Sequence, residues 1–222
     1  MSKFSVAIDG PAGAGKSSIA KKIASMLQCI YVDTGAMYRT VGYYCIKNNI
    51  DYNDENEVEK ITDKVNLSLV LENGVQQIFL DELNVSEIIR TPEASKAASK
   101  VATYKAVRES LVKKQQEIAK EQSLVMDGRD IGTVVLPNAT LKVFLVATVI
   151  ERTNRRYKEY VAKGEKPCFE SLKKEIEDRD FQDSNREISP LKKADDAIEV
   201  DTTNMTIEEV INTIVSMLKE RL

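Results

Sequence analysis

The chain has no histidine and no tryptophan among its 222 residues. A missing imidazole excludes Ser-His-Asp triads, histidine general bases and His-containing zinc sites. Chemistry must then run on carboxylates, cations, backbone dipoles and a bound metal ion, an inventory that suits phosphoryl transfer. Cysteine is scarce. Cys29, Cys45 and Cys168 are odd in number, widely spaced and without a C-x-x-C pair, so structural thiols in a reducing compartment are expected rather than disulfides or a metal site. The N-x-[ST] triplets at Asn66, Asn84, Asn138 and Asn204 carry no meaning in such a compartment. No apolar run approaches the length of a membrane span, and no export signal precedes Phe4, so a cytoplasmic protein with no membrane partner is expected. A basic surplus is also lacking. The 32 Lys and Arg against 35 Asp and Glu leave a net charge of −3, which argues against nucleic-acid binding and makes any basic site local.

Glycine numbers only 9, yet Gly10, Gly13 and Gly15 stand together in Gly10-Pro11-Ala12-Gly13-Ala14-Gly15-Lys16-Ser17-Ser18. This is G-x-x-x-x-G-K-[ST], the Walker A pattern, in the context that gives it physical meaning. A strand must feed the loop and a helix must leave it. Phe4, Val6 and Ile8 alternate before it, and Ile19, Ala20, Ile23, Ala24 and Leu27 follow at helical spacing. Such a loop turns successive N–H groups toward phosphate oxygens, with the positive helix end behind them. Lys16 is expected to reach the β- and γ-phosphates of ATP, and the Ser17 hydroxyl to hold Mg²⁺.

Downstream, Ile30–Asp33 reads as a short strand ending in an acid, followed by a helix from Thr34 carrying Met37, Val41, Tyr44 and Cys45 on one side. Residues 51–59 read as a solvated acidic loop leading into a helix. Residues 67–71 and 77–80 read as a β-hairpin around Asn73-Gly74, with a further extended piece at 85–89. Thr91-Pro92-Glu93 starts a helical stretch that runs to Glu121. Ser123–Asp127 and Leu141–Val146 are further strands, and a fifth is expected at Ala197–Asp201. Helices over 149–162 and 170–185 flank the punctuated loop Lys163–Pro167, and Thr206 to Glu209 matches a capping box. Strands separated by helices imply an α/β fold of three layers around a mostly parallel sheet, interrupted by an antiparallel insert. Ligands of such sheets gather at the carboxyl ends of the strands, where Gly10, Asp33 and Asp127 fall.

Cations cluster at informative places. Arg39 lies about one helical turn beyond Asp33, and Arg129-Asp130 follows the strand that ends at Asp127. Arg152, Arg155 and Arg156 share a helix side, although Glu151 and Arg155 at i,i+4 also suit a surface ladder. Arg179, Asp183 and Arg186 share another face, where Arg179 and Asp183 can simply pair.

Taken together, these residues resemble the bacterial cytidylate kinases, P-loop enzymes that phosphorylate CMP and dCMP. The resemblance rests on Ile8-Asp9-Gly10-Pro11, Asp33-Thr34-Gly35-Ala36-Met37-Tyr38-Arg39, Ala97-Ala98-Ser99 and Val107-Arg108. The run Asp127-Gly128-Arg129-Asp130-Ile131-Gly132-Thr133, then Arg179-Asp180 to Arg186 and Ser189-Pro190-Leu191, extends it over essentially the whole chain. It implies ATP on residues 10–18 and Mg²⁺ on Ser17. It also implies a CMP site of Thr34, Arg39, Ser99, Arg108, Arg129, Asp130, Arg179 and Asp183. Within that site Ser99, Arg108 and Asp130 would hold the cytosine, and Arg39 and Arg129 the acceptor phosphate. Lys16, Arg129, Arg186, Arg155 and Arg156 are the expected catalytic cations. A P-loop kinase fold with a monomeric working unit is implied, its core formed by residues 1–64 and 103–222. Residues 65–102 would form the NMP-binding insert and 157–169 a short lid. Two other classes compete on the P-loop alone: a nucleotide-driven switch, which lacks an Asn-Lys-x-Asp motif here, and another monophosphate kinase with different base-reading groups. A non-enzymatic binding module would have no use for so many cations around Lys16.

Overall fold

The computed structural model describes residues 3–72 and 75–222. In chain order, β1 (Ser5–Asp9) leads through the P-loop into α1 (Lys16–Met26), followed by β2 (Ile30–Asp33) and α2 (Thr34–Lys47). The acidic segment turns helical earlier than its composition suggests, as α3 (Glu55–Thr62), because the Asp54 carboxylate caps the Asn56 and Glu57 N–H groups. An antiparallel ladder of β3 (Leu67–Glu72), β4 (Val75–Leu80) and β5 (Leu83–Asn84) follows, then α4 (Pro92–Val101) and α5 (Lys105–Glu121). The remaining elements are β6 (Leu124–Gly128), β7 (Leu141–Val146), α6 (Val149–Ala162), α7 (Phe169–Asn185), β8 (Ile198–Asp201) and α8 (Ile207–Lys219).

Two expectations need correction or limits. Residues 85–89 are not extended: Ile89 N–H donates to the Val85 carbonyl at 3.0 Å, forming a turn. Val85 and Ile89 are both buried, and the i,i+4 spacing that a turn provides sends them into one core. The Asn73-Gly74 hairpin turn lies outside the described residues, although the ladder on both sides of it is in register from Leu67 opposite Leu80 to Glu72 opposite Val75.

The main sheet runs β2-β6-β1-β7-β8, with every pairing parallel. Its strands are short and mostly buried, as expected of a sheet covered on both faces. One face packs on α1 and α8. There Ile19, Ile23, Val210, Ile214 and Leu218 join Val6, Ile8, Val143 and Leu145 in one apolar cluster. Each such side chain, fully buried, contributes about 1.5–3 kcal/mol of transfer free energy. On the other side, α2, α3, α5 and the β3-β4-β5 insert share a second cluster built on Met37, Val41, Val58, Ile78, Ile89 and Val107. Helices α2 and α4 approach closely enough that a Cβ at Gly42 would stand 2.8 Å from the Ala97 Cβ. Small residues at that crossing bring α4, which carries Ser99, close against α2. Among the described residues no helix is long and apolar enough to cross a membrane.

Candidate active site

The chain folds so that the ends of β1, β2 and β6 open into one cleft of about 490 Å³. That volume lies within the range of small-molecule sites. Its floor is the P-loop: Ala12, Gly13, Gly15, Lys16, Ser17 and Ser18 line it, while Ala14 faces the core at 0% exposure. Gly15 sits at φ 85°, a conformation that suits glycine, and starts α1 with no side-chain cap. The first-turn N–H groups of α1 are thus left for an anion. Lys16 bends back and donates to the Pro11 carbonyl at 2.7 Å. Burial, then the neighbouring Arg129, holds its ammonium well below the ordinary lysine range.

Behind the loop stands a brace. Arg152 shares its helix side with Arg155 and Arg156, yet its Nη1 donates to the Ala12 carbonyl at 2.8 Å and to Asp180 Oδ2 at 2.5 Å. Asp180 Oδ1 in turn accepts from Ala12 N–H at 3.1 Å. The pair fixes both backbone polar groups of one P-loop residue, Ala12, from outside. Arg155 is likewise turned away. It donates to Glu151 Oε1 at 2.9 Å, Thr202 Oγ1 at 3.1 Å and the Thr202 carbonyl at 2.5 Å, and it is absent from the cleft lining. Arg156 does line the cleft, its guanidinium resting 5.5 Å from the Tyr160 ring centroid.

A residue expected at the ligand edge of the sheet, but given no role from the sequence, lies at the end of β6. Asp127 Oδ2 accepts from the Ser17 hydroxyl and Oδ1 from the Tyr31 hydroxyl, both at 2.8 Å. Burial, then the charge of Asp33, pushes the Asp127 carboxyl up to about 6. The Tyr31 phenol is also raised, first by its own burial and then by Asp127. Thr34 Oγ1 donates to the Asp127 carbonyl at 2.7 Å, tying the start of α2 to the same strand end. The pattern of an apolar strand ending in an acid was visible, but only the fold brings Asp127 against Ser17, 110 residues away in sequence.

Cations crowd the cleft wall. Arg39 donates to Asp33 Oδ2 at 2.9 Å, and Arg129 to Asp183 Oδ2 at 2.7 Å. Arg179 reaches the same Asp183 oxygen only at 4.0 Å. Its guanidinium is held down to about 10 by burial and then by Arg129. Arg129 itself is raised: burial opposes its charge, but Asp183, with Asp127 and Asp180, outweighs burial. Burial works against Asp183 too, and Arg129 and Arg179 overcome it to hold that carboxyl below its ordinary range. Lys16 and Arg179, both depressed by burial and then by Arg129, mark this wall as one suited to an anion.

At the far end, Asp130 sits between two guanidiniums, Arg108 Nη2 on Oδ2 and Arg186 Nη2 on Oδ1, the latter at 3.3 Å. Arg108 also donates to the Ala102 carbonyl at 3.2 Å and lies 5.6 Å from the Tyr38 ring centroid. The turn that carries Asp130, a single π-helical turn over Ile131–Val135, is held by Asp9 at the end of β1. The two Asp9 oxygens accept from Ile131 N–H at 2.8 Å and Gly132 N–H at 2.7 Å. Burial nonetheless lifts the Asp9 carboxyl to about 6, the two N–H bonds opposing that rise. Thr34, Arg39, Ser99, Arg108, Arg129, Asp130, Arg179, Asp183 and Arg186 all line the same cleft as the P-loop.

Comparison with known proteins gives this arrangement a family. The family model described as cytidylate kinase matches residues 6–220. A cytidylate kinase of Listeria innocua serovar 6a is 53% identical over 221 residues, covering 99% of this chain and 98% of that protein. Those of Bacillus cytotoxicus and Leuconostoc mesenteroides subsp. mesenteroides are 49% and 50% identical over 220 and 222 residues. They cover 99% and 100% of this chain, and 98% and 99% of themselves. Among solved structures, an uncharacterised protein from Eubacterium ventriosum aligns with a TM-score of 0.54 at 12% identity, over 98% of this chain and 99% of its own. A shikimate kinase from Bacteroides thetaiotaomicron aligns at 0.50 and 13%, with the same coverages. At such identities these two report a shared fold. From its near-complete match to the family model and to relatives at about half identity, the chain belongs to the cytidylate kinase family.

Proposed function

We propose that this chain transfers the γ-phosphoryl group of ATP to CMP and dCMP, giving ADP and CDP or dCDP. The carrying observation is that a phosphate-binding loop and an Asp130 carboxylate flanked by two arginines line a single cleft. Cytosine presents an amino donor beside ring N3 and O2 acceptors. Asp130 accepts from the amine, Arg108 donates to N3 or O2, and Ser99 completes the set. Uracil would turn a carbonyl oxygen toward the Asp130 carboxylate. Two acceptors then face each other, costing about 1–3 kcal/mol for each buried group left unpaired.

The acceptor phosphate lies with Arg39 and Arg129, and the sugar and phosphate region with Arg179 and Asp183. The second pKa of the phosphate is near 6, so the acceptor is largely dianionic at neutral pH and no general base is needed. One CMP phosphate oxygen forms a bond to the γ-phosphorus. The bond to the β,γ-bridging oxygen breaks, and ADP leaves with that electron pair. Lys16 releases Pro11 and follows the transferring group, while Arg156, joined by Arg186 once it turns from Asp130 and the Ser189 carbonyl, offsets its spreading charge. Arg155 is left out of this set, since three of its five N–H donors go to Glu151 and Thr202.

Ser17 and Asp127 are the residues that would hold Mg²⁺, which supplies charge neutralisation across the β- and γ-phosphates. Hard oxygen donors and a buried carboxyl raised to about 6 fit a divalent cation. Among the described residues no group of three or more His, Cys, Asp and Glu forms a metal cage. The insert over 65–102 and the loop over 157–169 are taken as the parts that close and exclude water. The working unit is a cytoplasmic monomer.

A coupled assay of ADP release with CMP, dCMP, UMP and AMP tests this function. Rapid turnover with CMP and dCMP, one diphosphate formed per ADP, is expected. ATP turnover that ignores CMP would overturn it.

A further inference from the structure

Ser99, which lines the cleft on α4, meets Gln182 of α7 behind it, and the direction of their bonds is fixed by chemistry. Gln182 Nε2 donates to the Ser99 carbonyl at 3.0 Å, and the Ser99 hydroxyl lies 3.2 Å from Gln182 Oε1. The Ser99 carbonyl can only accept. It belongs to the last turn of α4, where Thr103 N–H turns to the Lys100 carbonyl instead of continuing the ladder. The amide nitrogen must therefore face that carbonyl. The flipped amide would set two oxygens against each other and leave the carbonyl unpartnered. With the nitrogen so placed, Oε1 faces the Ser99 hydroxyl and takes its single proton. The lone pairs of Oγ are what remain for the cleft.

We propose that Gln182 is a specificity-determining positioning residue, which fixes the Ser99 hydroxyl as a hydrogen-bond acceptor toward the pyrimidine amine. The proposal rests on the reading of Ser99 as part of the base site. Gln182 does not itself line the cleft, whereas Ser99, Arg108 and Asp130 do. It acts through Ser99 and touches no nucleotide. A cytosine amine carries two hydrogens, and the site then offers it two acceptors, the Asp130 carboxylate and Ser99 Oγ. A free serine hydroxyl would rotate and donate to a uracil carbonyl, relieving the mismatch. One whose proton is already committed resists that rotation. Both residues are half-buried, so the bond is shielded without being sealed from solvent.

The test compares kcat/KM for CMP, dCMP and UMP in the wild type, Gln182→Met, Ser99→Ala and the double variant. Methionine keeps the length and helix preference of glutamine and removes both hydrogen bonds. Gln182→Met should narrow the CMP-to-UMP ratio about threefold to tenfold, the worth of one half-buried hydrogen bond. The CMP-to-dCMP ratio should not move, because the base is the same. In the Ser99→Ala background the substitution should have no further effect on the ratio. An equal loss with CMP and UMP would reduce Gln182 to a structural contact and overturn the proposal. A narrowed ratio in Ser99→Ala with none in Gln182→Met would overturn it while sparing the base-site reading. A ratio unmoved by Ser99→Ala would overturn both. Gln182→Leu, made in parallel, supplies the same comparison should Gln182→Met fold poorly.

Discussion

Replacing Asp130 with asparagine perturbs two quantities of different origin, and the structure sizes each. The Asp130 and Arg108 side chains are only 6% and 3% exposed. An amide in place of the carboxylate leaves the Arg108 charge without a counter-ion and turns one acceptor into a donor. Breaking a buried pair by removing one partner costs about 3–5 kcal/mol. One amide oxygen survives to accept, so the lower end, about 3 kcal/mol, applies. On a domain of this size about 1 kcal/mol moves Tm by about 2–4 °C, so a fall of about 6–12 °C is expected. Specificity shifts separately. The new amide donor opposes the cytosine amine and matches a uracil carbonyl, so the CMP-to-UMP ratio of kcat/KM should narrow at least tenfold. Differential scanning calorimetry and the coupled assay read the two effects independently. A Tm within 2 °C of wild type together with an unchanged ratio would refute the argument at both points.

Lys16→Ala should lower kcat at least about 100-fold with KM for CMP nearly unchanged, since its charge acts on the transferring group. Steady-state kinetics with both substrates varied would expose a normal kcat. Arg152→Met should raise KM for ATP about tenfold through loss of the Ala12 brace, with less than a threefold change for CMP; an unaltered ATP KM contradicts the brace. For pH, Asp9 is the group to follow, its carboxyl raised from 3.8 to about 6. In the folded chain it takes up a proton below about pH 6, whereas unfolded it waits until about 3.8, so its contribution to stability is greatest at low pH and is lost as pH rises through 6. Function moves the other way, because a protonated Asp9 puts a hydroxyl donor against Ile131 or Gly132 N–H and loosens the turn that carries Asp130. Cytidine, which has no titrating phosphate, should bind more weakly below pH 6 in the wild type. In Asp9→Asn the weakness should be independent of pH, and a flat wild-type profile would count against the link.

The P-loop was legible because its chemistry sits on consecutive residues whose spacing alone implies a strand, a nest and a helix. The sheet was legible for a related reason: each strand is a short apolar run, and three of them end in Asp9, Asp33 and Asp127-Gly128. What escaped depends on contacts distant in sequence. Arg152, Arg155 and Arg156 look equivalent on a helical wheel, yet one braces the P-loop, one grips Thr202 and one faces the cleft. Their fates are decided by β8 and α7, which approach from elsewhere in the chain. Asp180 stands in the sequence only as part of the Arg179-Asp180 motif, with no role of its own, and Gln182 gave no signal, since a polar residue on a helix is ordinarily solvated. In the turn at 85–89, Val85, Ile88 and Ile89 recur at i, i+3 and i+4, which is helical spacing, but three β-branched residues in five also suit a strand, and the strand-like composition prevailed in the reading.

The central claim is that one cleft grips phosphates at the P-loop and cytosine at Asp130 together. Adenosine and cytidine joined through five phosphates would span both sites and measure this directly in a single inhibition experiment. The expected result is inhibition competitive against ATP and against CMP, with an affinity far above either mononucleotide that both Lys16→Ala and Asp130→Asn weaken. Inhibition competitive against ATP alone, with no sensitivity to Asp130→Asn, would contradict the account.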